Sequence, residues 1–414
     1  MIKVVEQLRT NLKIVKSHLQ LLAEPLLSES AADGIFAIRD ENNEVIPGAL
    51  RYHASDDGPC VAVLGGIHMN EMAGVWALAR LHDRWLQGAR PSSGSVYVAT
   101  GKIERALEFI NLVMESGSVP AELWSSFRAT RDHCNYNRIP FDILSKNINS
   151  EFEQHAYQIA KYVLSPAKGM VLDLHNTSQD AAPIVTLFMQ EGEMPEMSIA
   201  RLNSTGVARD LPIRDFIIWK AGPYNGMESI RSVVEAESGA IPILVENGGG
   251  SKPESFENAD TYLQIWLRNV LAMEAEEEAV KRGSVSVGRK HYIETNELYH
   301  PGVKPEDYSY LDKETLVAAK DDTFILMRDW QTVNNIAGWS EKARKILNKL
   351  AQQELNKNRL DNFMPIKEGD IIAIGLKTGL EIRSPRDGIV MMVGASPTIE
   401  PEYKETFANI GIVL

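Results

Sequence analysis

The sequence predicts an α/β fold, with a mixed central sheet flanked by helices and a smaller β-rich C-terminal domain. Short apolar runs alternate with longer helical patterns up to about residue 280, as expected for buried strands that lie between helices. Around Lys281–Gly288 this alternation ends, and strand-like pieces separated by glycine-containing turns follow. Apolar residues make up 44% of the chain, which is enough to form a sizeable core.

The N-terminal segment, residues 1–44, is predicted to be helical. Apolar side chains recur there at helical spacing: Val4, Leu8, Leu12, Val15, Leu19 and Leu22. Pro25 lies just beyond them, where a helix is expected to stop. This helix either packs on its own domain or contacts a second subunit, and the sequence leaves both interpretations open.

Residues 45–284 are predicted to form the main α/β domain. Its strands are expected at Cys60–Leu64, Val96–Ala99, Met170–Leu174, Ile184–Met189, Phe216–Trp219 and Ile243–Val245. Its helices are expected from Val75 to Trp85, at Phe152–Leu164 and at Phe256–Met273, with the acidic run Glu274–Glu278 continuing the last of them. Residues 285–414 are predicted to form the β-rich domain, in which Ser340 is the N-cap of a helix at Ser340–Leu355.

Charge and cysteine content exclude several classes of protein. The net charge of −13 argues against partners such as nucleic acid or an anionic membrane, which require basic surfaces. The two cysteines, Cys60 and Cys134, are too few for a disulfide scaffold and predict reduced thiols in a cytoplasmic protein. The sequence has no run of about 18 apolar residues, so no transmembrane helix is expected. Charged residues interrupt the apolar pattern that a signal peptide would need at the N-terminus.

Three of the predicted strands end in residues that are suited to metal chemistry. His68 and Glu71, three residues apart, follow the first strand at the entrance to a helix. His175 ends the strand within Asp173–Thr177, and Glu246 ends the strand before three glycines. In open α/β sheets, ligands bind at the carboxyl ends of strands, so we expect these side chains to lie near one another.

Two histidines and one glutamate form the ligand set of catalytic zinc sites that keep a fourth position open for water. The remaining glutamate would suit a general base. Each residue also has an ordinary interpretation, as a core histidine or a solvated carboxylate. Asp173 either fixes the tautomer of His175 or is simply a polar residue at a strand end.

An arginine-rich segment, Arg128–Arg138, offers groups that would bind an acidic substrate. Asn137 and Arg138 would hold a carboxylate through a bidentate guanidinium. Arg131 or Arg128 would stabilise the oxyanion that forms when water attacks a carbonyl. An ordinary solvated loop is the alternative interpretation of this segment.

Taken in order along the chain, these motifs resemble those of the succinylglutamate desuccinylase/aspartoacylase family, whose catalytic domain is similar to zinc carboxypeptidases. The resemblance covers residues from about 60 to 270. It resumes in the C-terminal region at Lys367–Asp370, Ser384–Val390 and Lys404–Ala408. It implies a zinc carboxypeptidase-like central fold with one Zn²⁺ per chain, held by His68, Glu71 and His175, with Glu246 as general base and proton shuttle.

The resemblance also implies a set of substrate-binding residues. Asn137 and Arg138 would bind the substrate carboxylate, and Arg131 would polarise the scissile carbonyl, with Arg128 as its rival. Arg231 would bind a second acidic group. Tyr403 is the nearest match to a tyrosine that the family brings to the pocket from its C-terminal domain.

The function implied by the resemblance is hydrolysis of an amide bond in an N-acyl amino acid or similar small substrate. A zinc carboxypeptidase acting on short peptides would use the same ligands. A non-enzymatic binding protein is a third hypothesis, since Ser384–Val390 resembles the hairpins of biotinyl and lipoyl carriers, although Asp387 and Gly388 occupy the tip where a carrier has lysine. Residues 294–360 would cover the pocket mouth or build a subunit interface, and a homo-oligomer is left open.

Overall fold

The protein is seen here in a computed structural model, in which the chain divides into two units, Met1–Lys290 and His291–Leu414. The sequence predicted the boundary near residue 285. Residues 1–44, which the sequence sets apart, contribute to the first unit. The structure describes residues 2–24, 29–68, 70–115, 136, 139–140, 143–144, 148, 150–167, 170–177, 182–189, 193–204, 211–219, 227–228, 230, 241–249, 252–283, 290–299, 324–326, 338–352, 365–384, 386–391 and 408–413.

A mixed sheet forms the centre of the first unit, as predicted. Its strands are β1 Ile35–Arg39, β2 Val45–Ser55, β3 Cys60–Gly65, β4 Gly94–Ala99, β6 Met170–Thr177, β7 Ile184–Phe188, β8 Asp215–Trp219 and β10 Ile241–Gly249. They lie in the order β1-β2-β4-β3-β6-β10-β7-β8. Strands β4, β3, β6 and β10 run parallel, so their carboxyl ends meet at one edge. A separate short pair joins β5 Ile139–Pro140 to β9 Met227–Glu228.

Helices cover both faces of this sheet. They are α1 Ile2–Ala23, α2 Met72–Leu86, α3 Ile103–Glu115, α4 Glu151–Gln158, α5 Pro195–Ser204, α6 Pro253–Leu271 and α7 Glu277–Gly283. Helices α1, α2, α3 and α6 bury their apolar faces in one core, which contains Trp85 and Trp266. On the other face, α4 continues into a π-helical turn at Ile159–Leu164, whose apolar side chains join a second core. No helix among the described residues is both long and apolar enough to cross a membrane.

Helix α1 confirms the predicted amphipathic pattern, and it packs on its own unit. Leu8, Leu12 and Leu19 are buried in the same core as α2 and α3. The spacing of these leucines places them along one stripe of the helix. The structure therefore supports the interpretation in which this helix packs on its own domain.

The long helix predicted at Phe256–Met273 is also confirmed, but the acidic run Glu274–Glu278 does not continue it. Helix α6 ends because Ala272 adopts a left-handed conformation with φ of 51°. The chain then crosses a short irregular stretch before α7 begins at Glu277. Periodicity alone does not reveal this break, since an alanine seldom takes a left-handed conformation.

The second unit is β-rich, as predicted. Its described residues form the strands β11 Lys290–Tyr299, β12 Phe324–Leu326, β13 Pro365–Ile366, β14 Ile371–Gly375, β15 Glu381–Arg383, β16 Gly388–Met391 and β17 Ala408–Val413, together with helix α8 Glu341–Gln352. Neighbouring strands lie in the order β11-β17-β16-β13 in one set and in the order β12-β14-β15 in the other. The Ser340 hydroxyl accepts a hydrogen bond from the Ala343 amide at 3.2 Å, which confirms the predicted N-cap. The Asp387 carboxylate accepts one from the Glu368 amide at 2.8 Å.

The contact between α1 and α2 buries two histidines. His18 is 6% exposed, and its ring centroid lies 5.8 Å from that of His82. Within the described part of the chain, His18 Nε2 is buried and has no hydrogen-bond partner. Burial, and then the nearby His82, lower the pKa of His18 to about 3. Burial also lowers the pKa of His82, against an opposing effect of Asp83.

We expect this buried histidine to make the fold sensitive to acid. An unfolded chain protonates histidine near pH 6.5, whereas folded His18 stays neutral down to about pH 3. Its contribution is therefore complete above about pH 6.5 and is lost as the pH falls toward 3. Between these pH values the free energy of unfolding should fall less steeply with pH in His18→Leu than in the wild type. The difference in slope should be up to about 1.4 kcal/mol per pH unit.

Urea unfolding between pH 7.5 and pH 4.5 measures this slope. Asn11→Leu is the matched control, because Asn11 is a buried polar residue of the same helix with no ionisable group. The control should keep the wild-type slope. An unchanged slope in His18→Leu would show that another group causes any acid sensitivity.

Candidate active site

The chain turns sharply from β3 into α2, and this turn carries His68 and Glu71. Gly66 adopts φ of 70°, a left-handed conformation that favours glycine. A Cβ atom on Gly65 would lie 2.6 Å from the backbone of Gly74 in the first turn of α2, so the strand end and the helix approach too closely for any side chain. This close approach places His68 and Glu71 over the carboxyl end of the strand.

The structure brings together His68, Glu71 and His175, as the sequence predicted. Nδ1 of His68 lies 2.9 Å from Oε1 of Glu71, and Nδ1 of His175 lies 2.8 Å from Oε2 of the same carboxylate. One potential ligand atom from each residue lies within 4.8 Å of the other two. Among the described residues, this is the group of three such side chains with the geometry to hold a metal ion.

These residues fit a zinc ion. Zinc binds nitrogen and oxygen ligands at about 2.0–2.2 Å, so tetrahedral ligand atoms lie roughly 3.3–3.6 Å apart. The 2.8 and 2.9 Å contacts of Glu71 are hydrogen-bond distances, so the side chains would spread by about half an ångström around an ion. Two imidazoles and one carboxylate are also the donor set that zinc prefers at catalytic sites.

Asp173 supports His175 from the opposite side of the ring. Nε2 of His175 lies 2.9 Å from Oδ2 of Asp173, whose side chain is fully buried on β6. A carboxylate at this position fixes the orientation and tautomer of a ligand histidine. Nδ1 of His175 is thereby directed toward Glu71.

The charges of the group perturb its pKa values strongly. Burial acts to raise the pKa of Glu71, but the adjacent His68 and His175 hold it well below its usual value. Burial acts to lower the pKa of His175, yet Asp173 and Glu71 raise it to about 10. Protons therefore compete with a metal ion for His175.

Glu246 lies on β10 beside His175. It is paired with His175 in the parallel ladder between β10 and β6, and it is 4% exposed. Residues paired across neighbouring strands direct their side chains to the same face of a sheet. Among the described residues, the group that could hold a metal ion consists of His68, Glu71 and His175 and does not include Glu246.

Two buried amides next to these residues were not assigned a role from the sequence. Asn247 donates a hydrogen bond from Nδ2 to the backbone oxygen of His175 at 2.7 Å. Asn176 bonds to the N-terminal end of α2 and to β10. Both are 0% exposed, and a polar side chain within a buried strand end needs hydrogen-bond partners. That requirement is the signal in the sequence by which both could have been found.

The predicted substrate-binding residues lie outside the described residues: Arg128, Arg131, Asn137, Arg138, Arg231 and Tyr403. Their neighbours in sequence are described. The Ile230 amide donates to the backbone oxygen of Tyr136 at 2.8 Å, and β5 pairs with β9. The chain segments that precede Asn137 and Arg231 are therefore adjacent.

Comparison with known proteins places this fold in a recognised class. No family model and no curated protein matches the sequence. Solved structures of the succinylglutamate desuccinylase/aspartoacylase family share the fold of this chain. The similarity extends over most of the length of both chains, although few residues are identical.

Three of these structures illustrate the match. A succinylglutamate desuccinylase/aspartoacylase from Rhodobacter sphaeroides is 15% identical, with a TM-score of 0.52, and 92% of this chain and 94% of that chain are covered. The ectoine utilization protein EutE (DoeB) from Ruegeria pomeroyi is 15% identical, with a TM-score of 0.52 and coverages of 92% and 95%. Succinylglutamate desuccinylase from Vibrio cholerae is 12% identical, with a TM-score of 0.54 and coverages of 91% and 90%.

We expect the protein to bind one zinc ion per chain and to lose it when a ligand is removed. His68→Ala and His175→Ala should each abolish stoichiometric binding, measured by inductively coupled plasma mass spectrometry after dialysis. Zinc affinity should fall as the pH is lowered, because protons compete for His175. His155→Ala is the control and should retain zinc. His155 lies on α4 and forms hydrogen bonds with Tyr136 and with the backbone oxygen of Pro47. Full zinc content in His175→Ala would exclude this centre.

Proposed function

We propose that the protein is a zinc-dependent hydrolase that cleaves the amide bond of an N-acyl amino acid or a similar small substrate. The observation that carries the proposal is the buried group of His68, Glu71 and His175, with Glu246 on the adjacent strand. The fold shared with desuccinylase and aspartoacylase structures supports a deacylase type of reaction.

His68, Glu71 and His175 would hold the metal through two imidazole nitrogens and one carboxylate oxygen. When bound, zinc supplies a Lewis acid and lowers the pKa of a coordinated water to roughly 7. Asp173 keeps the His175 ring in the orientation that directs Nδ1 toward the centre. Three protein ligands leave a further position for water or substrate.

Glu246 would act as the general base and then as the proton carrier. Its carboxylate accepts a proton from the attacking water and delivers it to the leaving amine nitrogen, so the carboxylate is regenerated in each turnover. Its burial supports this role, because a carboxylate with little access to solvent is costly unless a cation lies nearby.

Asn137 and Arg138 would bind the carboxylate of the amino-acid part of the substrate, and Arg131 or Arg128 would polarise the scissile carbonyl. Arg231 would bind a second acidic group. The hydrogen bond between Ile230 and Tyr136 supports this pairing, since Arg231 and Asn137 directly follow these two residues. A substrate with two carboxylates, such as an N-acyl aspartate or glutamate, would use both arginines. The roles of these residues, the contribution of Tyr403 and a cytoplasmic location remain predictions.

Glu246→Gln should abolish turnover and leave zinc binding intact. The amide has nearly the same shape but cannot accept the proton of water, so the loss should be several orders of magnitude in kcat. Hydrolysis of N-acyl amino acids and metal content should be measured on the same preparation. Glu254→Gln, at an exposed glutamate in the first turn of α6, is the matched control. Normal turnover in Glu246→Gln would refute the proposed base.

A substrate panel tests the specificity of the site. Turnover of N-acyl amino acids should exceed turnover of dipeptides, whereas the reverse order would favour a zinc carboxypeptidase acting on short peptides.

Arg138→Lys should raise KM about tenfold or more for the preferred substrate, because lysine keeps the charge but loses the bidentate fork. Arg268→Lys, an exposed position on α6, should leave KM unchanged.

A further inference from the structure

The N-terminus of α2 lacks a hydrogen-bond acceptor from its own N-cap residue. Glu71 occupies the N-cap position, with φ of −103° and ψ of 72°, and its side chain makes no capping hydrogen bond. The first amides of a helix have no partner within the helix and need an outside acceptor. An N-cap side chain usually provides it by accepting from the second or third helical residue.

Asn176 provides this acceptor from a different part of the chain. Its Oδ1 accepts a hydrogen bond from the Ala73 amide at 3.2 Å. Ala73 is the second residue of α2, which is where a capping side chain normally binds. The helix is therefore capped by the side chain of a residue on β6, 103 positions away in the sequence.

Two further bonds fix Asn176 in place. Its backbone amide donates to Oε2 of Glu71 at 3.1 Å, and its Nδ2 donates to the backbone oxygen of Gly248 on β10 at 3.2 Å. The side chain is 0% exposed. One residue thus contacts the start of α2, the end of β10 and the ligand carboxylate.

The Glu71 carboxylate could either accept hydrogen bonds from the first amides of α2 or contact the two imidazoles. The positive end of α2 attracts the nearest carboxylate, and without Asn176 that carboxylate is the one on Glu71. Both oxygens of Glu71 instead lie against the two imidazoles, at 2.9 and 2.8 Å. They can do so because an amide oxygen already occupies the capping position.

We propose that Asn176 is a positioning residue for the metal centre: it caps α2 in place of Glu71 and so keeps the Glu71 carboxylate directed at His68 and His175. This inference rests on the proposed function, since it concerns the same centre. Removing the side chain frees the Ala73 amide, which then draws Glu71 away from the histidines. The metal site should weaken even though its three ligands are intact.

Zinc affinity, measured by competition with a fluorescent chelator under conditions where every variant is folded, tests the proposal. Asn176→Ala should bind zinc about 10–100-fold more weakly than wild type, the range seen when a supporting partner of a ligand is lost. Asn176→Asp keeps an oxygen for the Ala73 amide but loses the Nδ2 donor to Gly248, so it should recover part of the affinity that Asn176→Ala loses.

Ser150 offers a matched control for the loss of a helix cap. Its hydroxyl accepts from the Glu153 amide at 3.1 Å at the start of α4, away from the metal ligands. Ser150→Ala should lower the Tm, as the loss of a cap does, without changing zinc affinity. An equal weakening of zinc binding in Ser150→Ala would mean that the effect reports general stability.

A second comparison shows whether Asn176 acts through Glu71. In a Glu71→Ala background, adding Asn176→Ala should lower the remaining zinc affinity by less than about threefold, because coupled residues are not additive. The proposal is overturned if the loss equals that in the wild-type background, if Asn176→Ala binds zinc normally, or if Asn176→Asp is as weak as Asn176→Ala.

The outcome is distinguishable from failure of the proposed function. A wild-type protein that binds zinc but cleaves no N-acyl amino acid would refute the function, while the effect of Asn176 on zinc affinity could still be observed. A protein that binds zinc and turns over substrate, with normal zinc affinity in Asn176→Ala, would refute only this inference. Absence of zinc binding in the wild type would overturn both.

Discussion

The carboxylate of Glu71, shared between Nδ1 of His68 and Nδ1 of His175, is the interaction on which the rest of the site depends. Burying three ionisable groups within a few ångströms is costly unless each has a partner. Here Asp173 partners the far nitrogen of His175, and the backbone of Asn176 partners Glu71. The ends of the strands and the first turn of α2 place these groups in contact. The backbone must therefore keep this path for the buried charges to remain paired.

Much of the first unit could be predicted from the sequence, because buried parallel strands appear as short apolar runs and amphipathic helices as regular spacing. The strands that carry the site, β3, β6 and β10, fell where the apolar runs placed them. Strands β1 and β2 were not predicted, since their mixture of polar and apolar residues lacks a clear period. The extension of α6 into Glu274–Glu278 was wrong, because a single left-handed alanine ends the helix there.

The convergence of His68, Glu71 and His175 could be predicted for a related reason. Polar residues that directly follow apolar strands must lie at one edge when those strands are parallel and adjacent. The three-residue spacing of His68 and Glu71 then brings two of these side chains from one turn. What the sequence could not reveal is the hydrogen bonding around these three side chains. An asparagine beside a histidine looks the same whether it faces solvent or caps a helix 103 residues earlier.

The pairing of Glu246 with His175 has a consequence for how such a protein can change over time. Their spacing is set by the backbone ladder between β6 and β10, rather than by the long stretch of chain that joins the two strands. Insertions in that connection outside β7 and β8 would leave this pairing in place, whereas loss of β7 would remove the strand on the other side of β10. A related protein could therefore differ in these connecting segments while Glu246 and His175 keep the same separation.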